Sequence, residues 1–456
     1  MFSRPHISLF EPSSENVYTK SVTATQIVEY STDNAHVDHE CNQIRQDGGK
    51  TALLQVLACW LLFMNTWGLT NSFGIFETYY THTLLSRTSP SSIAWIGSIQ
   101  LFLTLFIGVF AGWLLDAGHV RVVVITGIIF EVFGMLMTSL CSQYWQLLLA
   151  QGFCVGIGSG ALAFTSTAII PFYFTKWRML AAGTVSTGSS VAGVIYPLMM
   201  RELFKNVGFC WATRVLAFVM LSTLSLSLLL LRPPHRNKSN VPLFRLDFLR
   251  DIPYTLFILA YAFGVAGIYV PYFYIQNYAI DLGIDKDMTF NVISIMNAAT
   301  FIGRFPYNYL ADMYGGIAIL VPCSFATAII LFLWRFVHTL PGLIAISATY
   351  CFVTGGLVSL PAVTISNLTI EKSEYGTRMG MGYTVAAIGA LVGSPMAGLA
   401  KRSASISINK MNHKQSEVMD RWQGAWLMAG AALLISTLLM AWARVLRGGL
   451  NFKLKL

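Results

Sequence analysis

Charge is scarce along this chain. Of its 456 residues only 11% are Asp, Glu, Lys or Arg, less than half of the roughly 25% typical of soluble globular proteins. A chain of this length has too few ionised groups to wet its own exterior, which argues against an ordinary cytosolic enzyme. A hydrophobic share of 55% argues equally against a disordered protein. Cysteine is sparse as well: there are seven, with no C-x-x-C spacing, and Cys59, Cys141, Cys154, Cys210, Cys323 and Cys351 lie in or beside apolar runs. A disulfide framework and a zinc site are therefore poor fits, and these residues read as small, reduced apolar side chains. The chain carries no G-x-x-x-x-G-K-[ST], no H-E-x-x-H, no G-x-S-x-G and no basic patch interleaved with aromatics. Those absences weigh against a self-contained ATP-driven pump, a metalloprotease, a serine hydrolase and a nucleic-acid binder. No catalytic residue, metal ligand or cofactor is expected. The first fifty residues hold no apolar run long enough for a signal peptide, so the first membrane segment is expected to direct insertion itself.

What is abundant is apolar sequence, with a mean hydropathy of +0.60. Twelve stretches meet the requirement of about 20 mainly apolar residues for crossing a bilayer as a helix, the first at 52–76, the third at 122–141, the eighth at 289–310 and the last at 422–443. The expected fold is an all-α membrane protein, twelve transmembrane helices in two six-helix pseudo-symmetric halves. Its parts are a polar, disordered tail (1–50), a first half (51–231), a polar linker (232–251), a second half (252–445) and a short tail (446–456). An even number of spans places both tails on one side. With the tails and linker taken as cytoplasmic, 18 of the 30 Lys and Arg lie inside, 10 outside, and Arg214 and Arg304 within helices. That bias supports cytoplasmic termini. The halves echo each other: Asp116 with Gly118 closes the second span, Asp312 with Gly315 the eighth. Transporter folds are built from such repeats, with the binding site near the midplane.

Few polar residues fall inside spans. Arg304 is the strongest signal, because a guanidinium stays protonated and costs at least about 2.5 kcal/mol to place in hydrocarbon. It should face water, a carboxylate or an anionic substrate; the plainer alternative is a snorkelling Arg paired with Asp312. Glu131 is the only acidic residue inside an expected span. It is a candidate for loading and releasing a proton, set against a plain reading as a locally paired side chain. Asn65 and Asn71, six residues apart, lie on different faces of the first helix, so at most one points into a cavity. The seventh span carries Tyr261, Tyr269, Tyr272 and Tyr274, suited to stacking on an organic substrate, or to an interfacial belt. Asn297 shares the eighth span with Arg304. Gly152, Gly156 and Gly160, and Gly389 with Gly393, mark tight helix contacts and nothing about substrate.

Taken in order, further pieces carry a resemblance. They are Asp47-Gly48-Gly49, Asn71-Ser72-Phe73-Gly74-Ile75-Phe76 with Tyr79-Tyr80, Ser98-Ile99-Gln100 and Gln143-Tyr144-Trp145. Beyond these come Tyr173-Phe174-x-Lys176-x-Arg178, Gly188-Ser189-Ser190 with Tyr196-Pro197, and Gly303-Arg304 with Leu310-Ala311-Asp312. The chain resembles a major facilitator superfamily transporter of the monocarboxylate-transporter-like branch found in filamentous fungi, over about residues 46 to 445. The resemblance implies a rocker-switch carrier whose helices one, four, seven and ten line a central cavity; Arg304, Asn71, Asn65, Tyr261, Tyr269 and Asn297 are the substrate-binding candidates, and Glu131 is the candidate for protons. It also implies a cytoplasmic latch made by Asp116, Arg121 and Asp312, with Ala117 where a basic residue is usual. Two departures bear on the cargo: Asn71 stands where proton-coupled relatives place a Lys in helix one, and Thr300 where they place an Asp before the helix-eight Arg. The implied activity is alternating-access transport of a small organic carboxylate, anion or zwitterion, with protons as candidate partners. Efflux of a fungal secondary metabolite is the alternative, and a transport-inactive sensor is disfavoured by the short tails. The expected location is the plasma membrane, with the vacuolar membrane as the other option; oligomeric state is not legible.

Overall fold

The computed structural model describes residues 49–233, 245–284, 286–369, 374–407 and 414–448. The tail expected to be disordered lies outside the described residues up to position 48, as do 234–244 of the linker and 449–456 of the second tail. Twelve long helices follow one another among the described residues. They are α1 Lys50–Leu84, α2 Ser92–Asp116, α3 Val120–Thr138, α4 Tyr144–Tyr173, α5 Arg178–Asn206 and α6 Gly208–Leu230, then α7 Ile252–Asp281, α8 Lys286–Tyr314, α9 Gly316–Trp334, α10 Leu340–Leu368, α11 Tyr375–Ser407 and α12 Lys414–Gly448.

Eleven of the twelve are long and apolar enough to cross a bilayer. The exception is α8. At 29 residues it is long enough to span, but Asn297, Thr300, Arg304 and Asn308 interrupt its apolar run. Their spacing of three, four and four puts them on one stripe, and all four are buried against other helices. Lipid meets the apolar remainder, including Ile302, which is 60% exposed. The same sorting holds elsewhere, with Leu229 and Leu438 facing outward and the polar Gln55, Asn65, Gln100 and Gln151 turned in.

The first helix corrects the sequence reading. Apolar sequence stops at Phe76, yet α1 continues to Leu84 through a turn at Ser72 and a π-helical stretch from Tyr80. Glu77 therefore lies inside a helix that spans, and Glu131 is not the only acidic residue in such a helix. Helix geometry depends on backbone hydrogen bonds, which a charged side chain near a bilayer surface does not interrupt.

Glycines set the closest approaches. A Cβ on Gly156 of α4 would sit 3.2 Å from the Gln100 backbone of α2, and one on Gly160 would sit 2.7 Å from the Leu103 carbonyl. Gly389 and Gly393 press α11 onto Ala262 and Ala266 of α7 in the same way. The linker is pinned at both described ends. Gln55 of α1 holds Leu230 and Arg232, and Tyr173 donates to the Arg232 carbonyl. At the other end Phe248 lies 4.8 Å under the Arg378 guanidinium, which also reaches Asp251 at 3.2 Å.

Candidate functional site

Between helices of both halves lies a narrow cavity of about 20 Å³. Phe63 and Trp67 of α1 face this space together with Tyr261 and Tyr269 of α7 and Tyr383 of α11. Thr167 of α4, Ser186 of α5 and Ser359 of α10 add hydroxyls. Apolar walls with a few convergent polar groups are the usual composition of a small-molecule site. The rings are organised: Trp67 and Tyr269 lie nearly parallel at 6.1 Å between centroids, with 13° between planes, and Tyr261 meets Tyr383 edge-on at 5.9 Å.

Arg304 lies beside this cavity rather than in its lining. It is 1% exposed, and its Nη2 donates to Ser189 Oγ of α5 at 2.9 Å. Ser189 in turn donates to the carbonyl of the cavity residue Ser186. Its Nε and Nη1 have no hydrogen-bond partner. Among the described residues no carboxylate pairs with it. The groups that feel its charge are Tyr269, which faces the cavity, and Tyr272, bonded to Thr300 at 3.1 Å. The alternative pairing with Asp312 is not what the structure shows, since the Asp312 oxygens face the start of α5. An unpaired buried guanidinium is costly, and an anion beside it would lower that cost.

The other sequence candidates scatter. Tyr261 and Tyr269 line the cavity. Asn297 is buried one turn before Thr300, with Nδ2 donating to the carbonyls of Ile293 at 3.0 Å and Gly193 at 3.3 Å, so it joins α8 to α5. Asn65 accepts from Tyr196 at 2.9 Å and donates to Leu61 O and Thr223 Oγ1, which places it in the α1, α5 and α6 packing. Asn71 is half-buried near the turn at Ser72 and is absent from the cavity lining. Glu131 is fully buried between α3 and α4; its Oε1 accepts from Ser159 at 2.8 Å while Oε2 has no partner. Sequence reading did not single out Phe63, Trp67, Thr167, Ser186, Ser359 or Tyr383. Only Tyr383 carried a signal, following Gly376, Gly380 and Gly382, where the absence of a side chain permits close contact.

Two carboxylates join the halves at the end of the bundle where the linker lies. Asp116, 1% exposed at the end of α2, accepts from Gly376 N at 3.0 Å, Thr377 N at 2.7 Å and Thr377 Oγ1 at 2.9 Å, at the start of α11. Asp312, at the end of α8, accepts from Met179 N and Leu180 N, both at 2.9 Å, at the start of α5. Each carboxylate thus caps a helix N-terminus of the opposite half, satisfying orphan amides and opposing the positive end of the helix dipole. Nearby, Trp177 stacks on Tyr309 at 5.7 Å. Arg121 is exposed and makes no ion pair among the described residues, so the clasps are built without it.

A sequence model of the Major Facilitator Superfamily matches residues 53–305 and 255–451. The chain belongs to that superfamily. It is 35% identical over 434 residues to the MFS-type transporter dbaD of Emericella nidulans, covering 93% of this chain and 95% of that protein. It is 34% identical to the aspyridones efflux protein apdF of the same organism, covering 77% of this chain and 72% of the relative. Among solved structures, the E. coli fucose:proton symporter FucP superposes with a TM-score of 0.65 at 16% identity, over 87% of this chain and 99% of FucP. This is a multi-pass membrane transporter with the fold of its superfamily.

Proposed function

We propose that this transporter exports a small acidic organic metabolite by alternating access, with Arg304 binding the negative charge of the cargo. The observation that carries this reading is the guanidinium buried beside the cavity with two nitrogens unpartnered and, among the described residues, no carboxylate to neutralise it. An incoming carboxylate or acidic enol would accept from those nitrogens in a site from which water is largely excluded. Tyr269 and Tyr261 would contact the body of the substrate, while Asn297 would hold α8 against α5 beneath it. Export is supported by the similarity to apdF, an aspyridones efflux protein. The monocarboxylate-like branch remains our finer assignment, with Asn71 and Thr300 in place of its Lys and Asp. On this reading the tails and clasps face the cytoplasm and the chain resides in the plasma membrane. Binding energy would shift the balance between inward-open and outward-open states rather than drive bond chemistry.

The test compares metabolites in cells and medium with and without the gene, and with Arg304→Ala in its place. An acidic compound retained in the cells in both altered strains is the expected result. Retention of none, or unimpaired secretion by Arg304→Ala, would refute the proposal.

A further inference from the structure

We infer that the cavity selects planar aromatic compounds, gripped between Trp67 of α1 and Tyr269 of α7. The inference rests on the role of Arg304 for the charge of the cargo, but on the rings alone for its shape. Trp67 comes from the first half and Tyr269 from the second. Their planes differ by 13° and their centroids stand 6.1 Å apart, the spacing of an offset-stacked pair, while a third ring lying between two parallel faces needs roughly 7 Å measured across the faces, twice an aromatic contact distance. Parting of α1 from α7 in alternating access would open that slot and admit a flat molecule to both faces at once. Phe63 extends the row, 6.1 Å from Trp67 and tilted by 28°.

The rest of the lining agrees with that chemistry. It holds no Asp, Glu, Lys, Arg or His, so a cationic cargo would find no counter-charge. Besides the Trp67 indole N–H its polar groups are hydroxyls, from Ser186, Thr167, Ser359 and the three tyrosines, able to donate to or accept from oxygen substituents on a ring. Tyr269 lies both against the cavity and within the field of Arg304. A ring stacked on Tyr269 can thus direct an acidic substituent toward the guanidinium. A saturated acid of equal size would bury the same area but leave both ring faces without an aromatic partner.

Binding to the full-length protein in lipid nanodiscs separates shape from charge. The probes are naphthoate, the saturated decahydronaphthoate and the neutral naphthol. We expect naphthoate to bind roughly 5-fold or more tightly than decahydronaphthoate, because each of two ring faces adds affinity beyond burial. Trp67→Leu should abolish that preference, lowering naphthoate affinity more than decahydronaphthoate affinity, and Trp67→Phe, which keeps a ring, should restore it. Equal binding of the two carboxylates, both ahead of naphthol, would overturn the aromatic inference and leave the Arg304 reading standing. Naphthol equal to naphthoate, both ahead of the saturated acid, would do the reverse. Binding of none of the three would overturn both.

Discussion

Replacing Asp116 by Asn keeps the shape of the clasp and removes its charge. The carboxylate accepts three hydrogen bonds, two from backbone amides at the first turn of α11 and one from Thr377 Oγ1. Each hydrogen bond to a charged group contributes about 1.5 kcal/mol or more, and the helix N-terminus adds a further fraction. An amide retains one acceptor oxygen but turns an NH₂ donor toward a donor, so about 2 to 3 kcal/mol of the clasped state should be lost, or roughly 30- to 150-fold in its ratio to the unclasped state. The assay is alkylation by an impermeant maleimide, applied from the linker side, of Val358→Cys, a cavity position, in a background without other cysteines. Faster labelling in Asp116→Asn, approaching that factor, is expected. Asp312→Asn should act in the same direction, and because the two clasps cap different helices, α11 and α5, their effects should add. Labelling unchanged by either substitution would refute the reasoning, since the clasps would then not hold this end shut.

Other outcomes follow from the packing. Glu131→Gln should leave transport and any response to a pH gradient unchanged, since the side chain is held by Ser159 between α3 and α4 and is absent from the cavity lining; loss of gradient-driven accumulation in vesicles would make it the proton carrier instead. Gly389→Leu should lower the thermal midpoint in detergent, because the new side chain would meet the Ala262 backbone, at a cost of about 1 to 3 kcal/mol. Gly74→Ala, whose Cβ would meet only Gln276 at 3.4 Å, should be tolerated. Cys210, exposed at the start of α6, should be labelled by an impermeant maleimide added outside intact cells if the tails are cytoplasmic; labelling only after permeabilisation would invert the topology.

The sequence revealed the membrane fold because burying polar backbone in lipid leaves few solutions, and runs of apolar residues mark them. The Asp repeat and Arg304 were legible for the same reason: a charge stands out where charge is costly. Faces were harder. Helices such as α1 and α7 are apolar nearly all round, so periodicity does not tell that Phe63, Trp67, Tyr261 or Tyr269 meets the cavity. Asn65 looked like a ligand because its partners, Tyr196 and Thr223, lie more than 130 positions away in the chain. The end of α1 was misjudged because hydropathy falls at Glu77 while the backbone ladder continues. The sequence marks Asp116 and Asp312 by their repeat, and the resemblance adds Arg121 to them. What the carboxylates bind instead are backbone amides at helix starts, which no side-chain pattern records.

The central claim is that Arg304 holds the negative charge of the cargo. Its most direct measurement is counterflow, in proteoliposomes, of the acidic compound found in the secretion comparison, by wild type, Arg304→Lys and Arg304→Ala. Two charge-assisted hydrogen bonds at about 1.5 kcal/mol each predict an affinity loss of roughly 100-fold or more for Ala, with Lys intermediate because it keeps the charge without the fork. Equal affinity in all three proteins, each verified as folded, would contradict the account.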